Sequence, residues 1–166
     1  MIMDANHVSQ KTLMQSFDYK GGSLFWKVKL SPKTIIGDKA GYIDVHGYEK
    51  IVINKRKYAS HRLIFLYKHG YLPKFIDHKD GDILNNKIEN LRECTLNQNQ
   101  WNMKLKPSNT SGTKGVSWDK SRNKWIAAIK VNGKRVFSKR FKRKEDAIEA
   151  VIKARKELHG DFCNHG

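Results

Sequence analysis

The sequence predicts an α+β protein made of two small globular units, and three observations carry that prediction. Strand-like apolar runs set off by turn residues fill the early part of the chain, SLFWKVKL among them. Later, two apolar runs flank Asn132-Gly133, the strongest short-range hairpin signal, and a helical pattern follows them. Between these regions lies KLKPSNTSGT, residues 104–113, with no apolar residue after Leu105. That is linker composition. The divisions expected are a lead-in at 1–20, a first unit at 21–103, the linker at 104–113 and a second unit at 114–160.

Each element has a local reason. Leu13, Met14 and Phe17 give the lead-in a short helical pattern. After SLFWKVKL, Tyr42–Val45 and Tyr48–Ile53 read as strands around a His46-Gly47 turn. Ser60 is placed to cap a helix from His61 to His69, with Leu63, Ile64 and Tyr67 on one stripe and Gly70 as the stop. PKFIDHKDGD is an extended stretch entering a polar turn, and a further helix is expected over Leu96–Lys104. In the second unit Gly115–Trp118, Lys124–Val131 and Lys134–Phe141 are strands, and a helix from Lys144 to Leu158 puts Ala147, Val151, Ala154 and Leu158 on one face before Gly160. The order is β-β-β-α.

Composition narrows the partners. The 166 residues include 33 Lys plus Arg against 16 Asp plus Glu, a net charge of +17, and 39% apolar residues can build a core. Such an excess repels itself unless an acidic partner neutralises it, and nucleic acid is the default partner because each phosphate contact releases counterions. No apolar run approaches the roughly 18 residues of a membrane span. The opening MIMDANHVSQK lacks the layout of a signal peptide. Cys94 and Cys163 stand apart, which argues against a disulfide scaffold or a cysteine zinc site and fits a reducing, cytoplasmic setting.

The chemistry-bearing stretch is Asp77-His78, then Asn90-Leu91, then Asn97-Gln98-Asn99 and Asn102. Hydrolysis of a phosphodiester needs a base for water and a cation against the negative charge of the transition state. An imidazole, with an ordinary pKa of about 6.5, is mostly neutral at pH 7 and can serve as that base. A carboxylate such as Asp77 is a hard ligand suited to Mg²⁺. Neighbours on a strand point to opposite faces, so Asp77 and His78 must lie at a strand end or turn to approach one phosphate. Lys79-Asp80-Gly81-Asp82 supplies the turn.

In order and spacing, the string HRLIFLYKHGYLPKFIDHKDGDILNNKIENLRECTLNQNQWN, His61 to Asn102, resembles the HNH endonucleases of phages and mobile introns, the homing type. The resemblance implies a ββα-metal (His-Me finger) unit that grips one divalent ion, Mg²⁺ first with Mn²⁺ the alternative. It implies that Asp77 is a metal ligand, His78 the general base, Asn90 the middle residue that ties down the hairpin loop, and Asn99 the second metal ligand. Many relatives have His at this last position; Asn stands here, and Asn102 one turn on competes for the role. His61 reads as a helix-start residue beside Arg62, which can reach phosphate. Asp80 and Asp82 read as turn residues, and Trp26 and Trp101 as core.

Residues 114–160 resemble the DNA-binding domain of plant ethylene-response factors, through Gly115-Val116, Trp125-x-Ala127-x-Ile129, Asn132-Gly133, Phe141 and the Ala147–Ala150 helix start. The resemblance implies a three-stranded sheet laid on DNA with a helix behind it. A two-residue turn pairs Val131 with Lys134, Lys130 with Arg135, Ile129 with Val136, Ala128 with Phe137 and Ile126 with Lys139. Trp125, Ala127, Ile129 and Val136 then face the helix. Lys130, Arg135, Phe137 and Lys139 face out, with Lys114, Lys120, Arg122 and Lys124 extending the charge. Ser117 and Ala128 stand where the plant domains carry Arg and Glu, so phosphate anchoring with limited base preference is expected. The expected whole is a metal-dependent endonuclease on double-stranded DNA, monomeric or weakly dimeric, nicking one strand per site. A non-catalytic DNA-binding protein and a basic RNA-binding protein are the rivals.

Overall fold

A computed structural model describes residues 8–105 and 107–163; residues 1–7 of the expected lead-in and Lys106 of the expected linker lie outside them. The chain divides into two compact units between Cys94 and Thr95. Among the described residues no helix is long and apolar enough to cross a membrane.

The first unit opens with helix α1 (Gln10–Ser16), whose N-cap Ser9 accepts from the Thr12 amide. It leads directly into a hairpin of β1 (Phe17–Lys20) and β2 (Ser23–Trp26). The lead-in is therefore part of the fold, not a polar preface. Phe17 starts a strand instead of continuing the helix, and it is fully buried with Leu13 and Leu24. Its ring packs on Trp26 at 4.5 Å between centroids. The run SLFWKVKL stops being strand at Trp26. A second sheet has the order β3 (Tyr42–Ile43), β4 (Glu49–Ile53), β5 (Arg56–Ala59). Asn54 and Lys55, both at positive φ, make the tight turn into β5, a strand the sequence reading did not anticipate.

Helix α2 (Ser60–His69) follows β5 with no intervening loop. The expected cap at Ser60 is corrected: Ala59 holds the cap position, and Ser60 is the first helical residue, buried in the interior. Gly70 ends the helix in the left-handed conformation, as its sequence position predicts. Leu63, Ile64 and Phe65 bury against Ile51, Ile53 and Ile76. The last pair of strands is β6 (Phe75–His78) and β7 (Leu91–Cys94), antiparallel, with Asp77 opposite Arg92 and His78 opposite Leu91.

The second unit starts at α3 (Leu96–Asn102), two residues shorter than expected and held by a reciprocal capping box between Thr95 and Gln98. Trp101 stacks on His159 with centroids 4.1 Å apart and planes 4° from parallel. The expected linker belongs to this unit. Ser111 and Thr113 are buried, Ser111 Oγ donates to the Thr113 carbonyl at 2.8 Å, and the Gly112 amide donates to Asn109 Oδ1 at 2.8 Å. Polar composition here marks a hydrogen-bonded turn, not a tether.

The three-stranded sheet is β10 (Lys134–Phe141), β9 (Lys124–Val131) and β8 (Val116–Asp119) in that order, with α4 (Lys144–His159) packed on it through Ala147, Val151 and Ala154. Strand limits of β9 and β10 match the expectation, but the register needs one correction. Val131 pairs with Lys134 and Lys130 with Arg135, then a bulge at Val136 sets Phe137 opposite Ile129, Lys139 opposite Ala127 and Arg140 opposite Ile126. A bulge inserts one residue and flips the faces beyond it. Phe137 thus packs toward α4 and Val136 is half exposed, the reverse of the sequence reading. Lys139 shares the Phe137 side, its ammonium 6.0 Å from the ring centroid. The open face carries Lys130, Arg135 and Arg140, with Ser117, Ile126, Ala128 and Ser138 between them.

Two substitutions test this packing. Gly115 has φ +74°, and a β-carbon there would lie 2.5 Å from the Ala128 carbonyl oxygen. Gly115→Ala should cost the second unit about 2 kcal/mol or more, read as a lower urea midpoint by tryptophan fluorescence. Phe17→Ala should cost the first unit roughly 3–5 kcal/mol, whereas a dispensable lead-in would lose almost nothing.

Candidate active site

The site grows from the hairpin β6–β7. Its connecting loop, residues 79–90, is mostly polar, so hydrogen bonds must shape it. Asn90 is the hub: its Nδ2 donates to Asp80 Oδ1 at 2.9 Å and to the Asn85 carbonyl at 2.8 Å, and its Oδ1 accepts from the Asp80 amide at 3.1 Å. The Lys79 amide donates to the Asn90 carbonyl, closing the loop just past His78. Asp80 also receives the Asp82 amide and Asn85 Nδ2. Burial works to raise its pKa, yet these hydrogen bonds hold it below the ordinary carboxylate value. Asp82 in turn accepts from the Leu84 amide. Both aspartates shape turns, as their position implies.

His78 ends β6 and is buried with Asp77. Its Nε2 lies 2.9 Å from Asn86 Oδ1, and Asn86 Nδ2 donates to Glu49 Oε2 at 3.2 Å. Glu49 Oε1 pairs with Lys39 Nζ at 2.7 Å. The ring of His61, on the first turn of α2, meets His78 edge-on at 5.2 Å between centroids. Burial, followed by the nearby His78, Arg62 and Lys50, lowers the His61 pKa to about 3, so it is neutral at physiological pH.

Asp77 has a different partner. Arg92, directly across the hairpin, places Nε and Nη2 each 2.8 Å from Asp77 Oδ2. The charge-assisted hydrogen bond from Nε, with Nη2 in ion-pair range of the same oxygen, orients the carboxylate. Burial, and next the charge of Asp77, push the neighbouring Cys94 thiol up to about 11. Arg62 donates to the carbonyls of Pro73 and Lys74 at 3.1 and 3.2 Å, which clips α2 to the entry of β6. Asn99 sits on α3, at the start of the second unit. Asn102 is buried on the same helix.

Two groups buttress the loop from the β1–β2 hairpin. Tyr19 Oη accepts from the Ile88 amide at 3.1 Å. Gly22, at φ +89°, lets the chain pass so close that a β-carbon would fall 2.8 Å from the Lys87 nitrogen. In the second unit, Lys120, Arg122 and Lys124 line the exposed turn from β8 to β9. Asp119 there accepts from Ser121 and pairs with Arg140 at 3.2 Å and Arg122 at 3.5 Å. These interactions, the Ser121 hydrogen bond foremost, lower its pKa to about 2. Lys114 Nζ donates to the Met103 carbonyl.

Sequence reasoning passed over Arg92, Asn86 and Glu49. Arg92 would have emerged had β7 been recognised, since pairing places it opposite Asp77. Asn86 lay inside the quoted motif without a role. Glu49 is far away in sequence, and only folding brings it near.

A strand-end Asp-His pair beside an Asn-clipped loop, on a chain with a large surplus of positive charge, places this protein among the nucleases. The HNH endonuclease family profile matches residues 58–101. The chain is 41% identical over 96 residues to Protein 3.8 of Escherichia phage T7, covering 57% of this chain and 78% of that one. It is 30% identical over 147 residues to an uncharacterized HNH endonuclease of Acanthamoeba polyphaga mimivirus, covering 87% of this chain and 75% of the relative. No solved structure gives a significant match. The chain belongs to the HNH endonuclease family.

The half-buried, neutral His61 makes stability depend on pH. Its folded pKa is about 3 against an ordinary 6.5. The unfolded chain therefore takes up the proton first, so stability is full above about pH 6.5 and falls as pH drops toward 3. Over the whole range the loss can reach about 5 kcal/mol. Urea midpoints at pH 7.5 and pH 5 should separate more for the wild type than for His61→Gln; parallel shifts would contradict the assignment.

Proposed function

We propose that the protein is a Mg²⁺-dependent endonuclease that nicks double-stranded DNA, with His78 as general base, and that the polar network about the His78 ring is the observation that carries this reading. A base must be held in one orientation beside the scissile phosphate, and His78 is buried, ends a strand and has a fixed hydrogen-bond partner on its ring. In the step envisaged, water gives a proton to His78 as its oxygen bonds to phosphorus. The bond from phosphorus to the 3′-oxygen breaks, and that oxygen leaves with the electron pair and takes a proton. The products are a 5′-phosphate and a 3′-hydroxyl.

Asp77, near the end of β6, and Asn99, on α3, are the residues that would hold the metal. The donor chemistry fits a hard cation: one carboxylate and one amide oxygen, both suited to Mg²⁺, which keeps several waters and is completed by substrate phosphate. Among the described residues no group of three or more His, Cys, Asp or Glu is placed to hold a metal ion. A bound divalent ion supplies positive charge against the crowded phosphorus centre and the departing oxygen. Arg92 orients the Asp77 carboxylate, and Asn90 keeps the loop beyond His78 closed.

The second unit serves as the grip on DNA in this reading, in the manner of the ethylene-response-factor domains it resembles. The bulged register supports Lys130, Arg135 and Arg140 as the cations of the open face, with Lys120, Arg122 and Lys124 at its edge. Phe137 and Lys139, on the α4 side, are better read as packing and rim groups. One such site per chain cuts one strand, so a monomer nicks.

A supercoiled plasmid with Mg²⁺ tests the reading. Wild type should yield open circles, and chelation, His78→Ala or Asp77→Ala should each cut the rate at least ~100-fold. Undiminished nicking by His78→Ala would refute the assignment. In a separate binding measurement, Arg135→Ala with Arg140→Ala should weaken DNA binding and lower the salt slope by about one unit per lost phosphate contact.

A further inference from the structure

The hydrogen bonds around Asn86 decide where the proton sits on the His78 ring. Glu49 is buried, and both its oxygens are engaged: Oε1 pairs with Lys39 at 2.7 Å, and Oε2 accepts from Asn86 Nδ2 at 3.2 Å. An ion-paired carboxylate has no hydrogen to give. The Asn86 amide must therefore turn its NH₂ toward Glu49 and its carbonyl toward His78. A carbonyl only accepts, so the ring nitrogen 2.9 Å away, Nε2, must carry the hydrogen. Nδ1 is then the nitrogen with the lone pair.

Reversing the amide would set two acceptors against each other at Glu49, and in a dry site that costs the full penalty of an unmade hydrogen bond. Asn86 is 2% exposed, Glu49 and His78 6% each, so water has little access to compensate. The backbone of Asn86 is also pinned, because Gly22 packs against Lys87 N and Tyr19 takes the Ile88 amide. On the other side the His61 ring lies edge-on to His78 and is itself followed by Tyr48 at 6.1 Å.

We infer that Glu49 and Asn86 are positioning residues that hold His78 in the Nε2–H tautomer, so that Nδ1 is the nitrogen that takes the proton from water. The inference rests on the reading of His78 as the general base. Neither residue touches DNA in this role; both act through the imidazole. Polar partners of this kind, one step removed from the reacting group, are commonly worth about 10–100-fold in activity.

The tautomer can be read without any activity measurement. In the full-length chain with ¹⁵N-labelled histidines, long-range proton–nitrogen correlation spectra report which ring nitrogen of each His bears hydrogen, with His78→Ala used for assignment. Wild type should show His78 protonated at Nε2. Glu49→Gln lets both amides turn over, because a glutamine donates as well as accepts, and Asn86→Leu removes the acceptor. Each should mix the tautomers and lower the plasmid-nicking kcat about 10-fold with KM for DNA within about twofold. The double variant E49Q/N86D keeps the local charge and restores an acceptor-only group opposite Nε2, and should recover both the tautomer and the rate. Finding His78 protonated at Nδ1 in the wild type, or wild-type kcat in both single variants, overturns the positioning role. Wild-type nicking by His78→Ala instead overturns the general-base reading beneath it, so the two failures are told apart.

Discussion

The hydrogen bond between His78 Nε2 and Asn86 Oδ1 exists only because the loop from 79 to 90 keeps one shape, and that shape is imposed almost wholly by polar contacts. A loop of such composition has little apolar surface to bury, so hydrophobic collapse does not select its conformation. Asn90 does so by bonding at once to the Asp80 side chain, the Asp80 amide and the Asn85 carbonyl. The β1–β2 hairpin completes the frame from outside, through Tyr19 and the close approach at Gly22. The apolar core of the first unit supports this arrangement from below, with Phe17, Leu24 and Ile64 fully buried. The elements that look peripheral in sequence are therefore mechanical supports of the site.

Charge is partitioned in a consistent way. The chain has few carboxylates, and several are committed to specific internal tasks: Asp77 to Arg92, Glu49 to Lys39 and Asn86, Asp80 to the loop, Asp119 to Arg140 and Ser121. Buried ion pairs such as Asp77–Arg92 contribute orientation more than stability, because desolvation offsets much of the Coulomb gain. Exposed pairs contribute ~1 kcal/mol or less. Carboxylates used in this way leave the surplus of Lys and Arg to face the outside, which suits a family whose substrate is a polyanion.

In the second unit one inserted residue matters more than the overall charge. An unbroken hairpin would have aimed Phe137 and Lys139 away from α4; the bulge at Val136 turns them toward it and brings Arg140 onto the open face. Asp119 then reaches Arg140 across the sheet and fixes its direction. The basic character of that face survives the correction, but its members change.

Much of the architecture was legible locally. The Asn-Gly turn, the limits of β9 and β10, the α4 stripe and the Gly70 stop follow from backbone preference and periodicity, which act over a few residues. The order of Asp77, His78, Asn90 and Asn99 was enough to suggest the family. Short strands such as β5 and β7 left too little pattern to recognise, and the 104–113 segment read as a linker because polar residues look alike whether they meet water or one another. What only the tertiary structure decided are contacts between residues remote in sequence: Glu49 on Asn86, His61 against His78, Tyr19 on the loop. A sequence states which donors and acceptors exist; which of them meet depends on how the buried surfaces close, and that is a property of the whole fold.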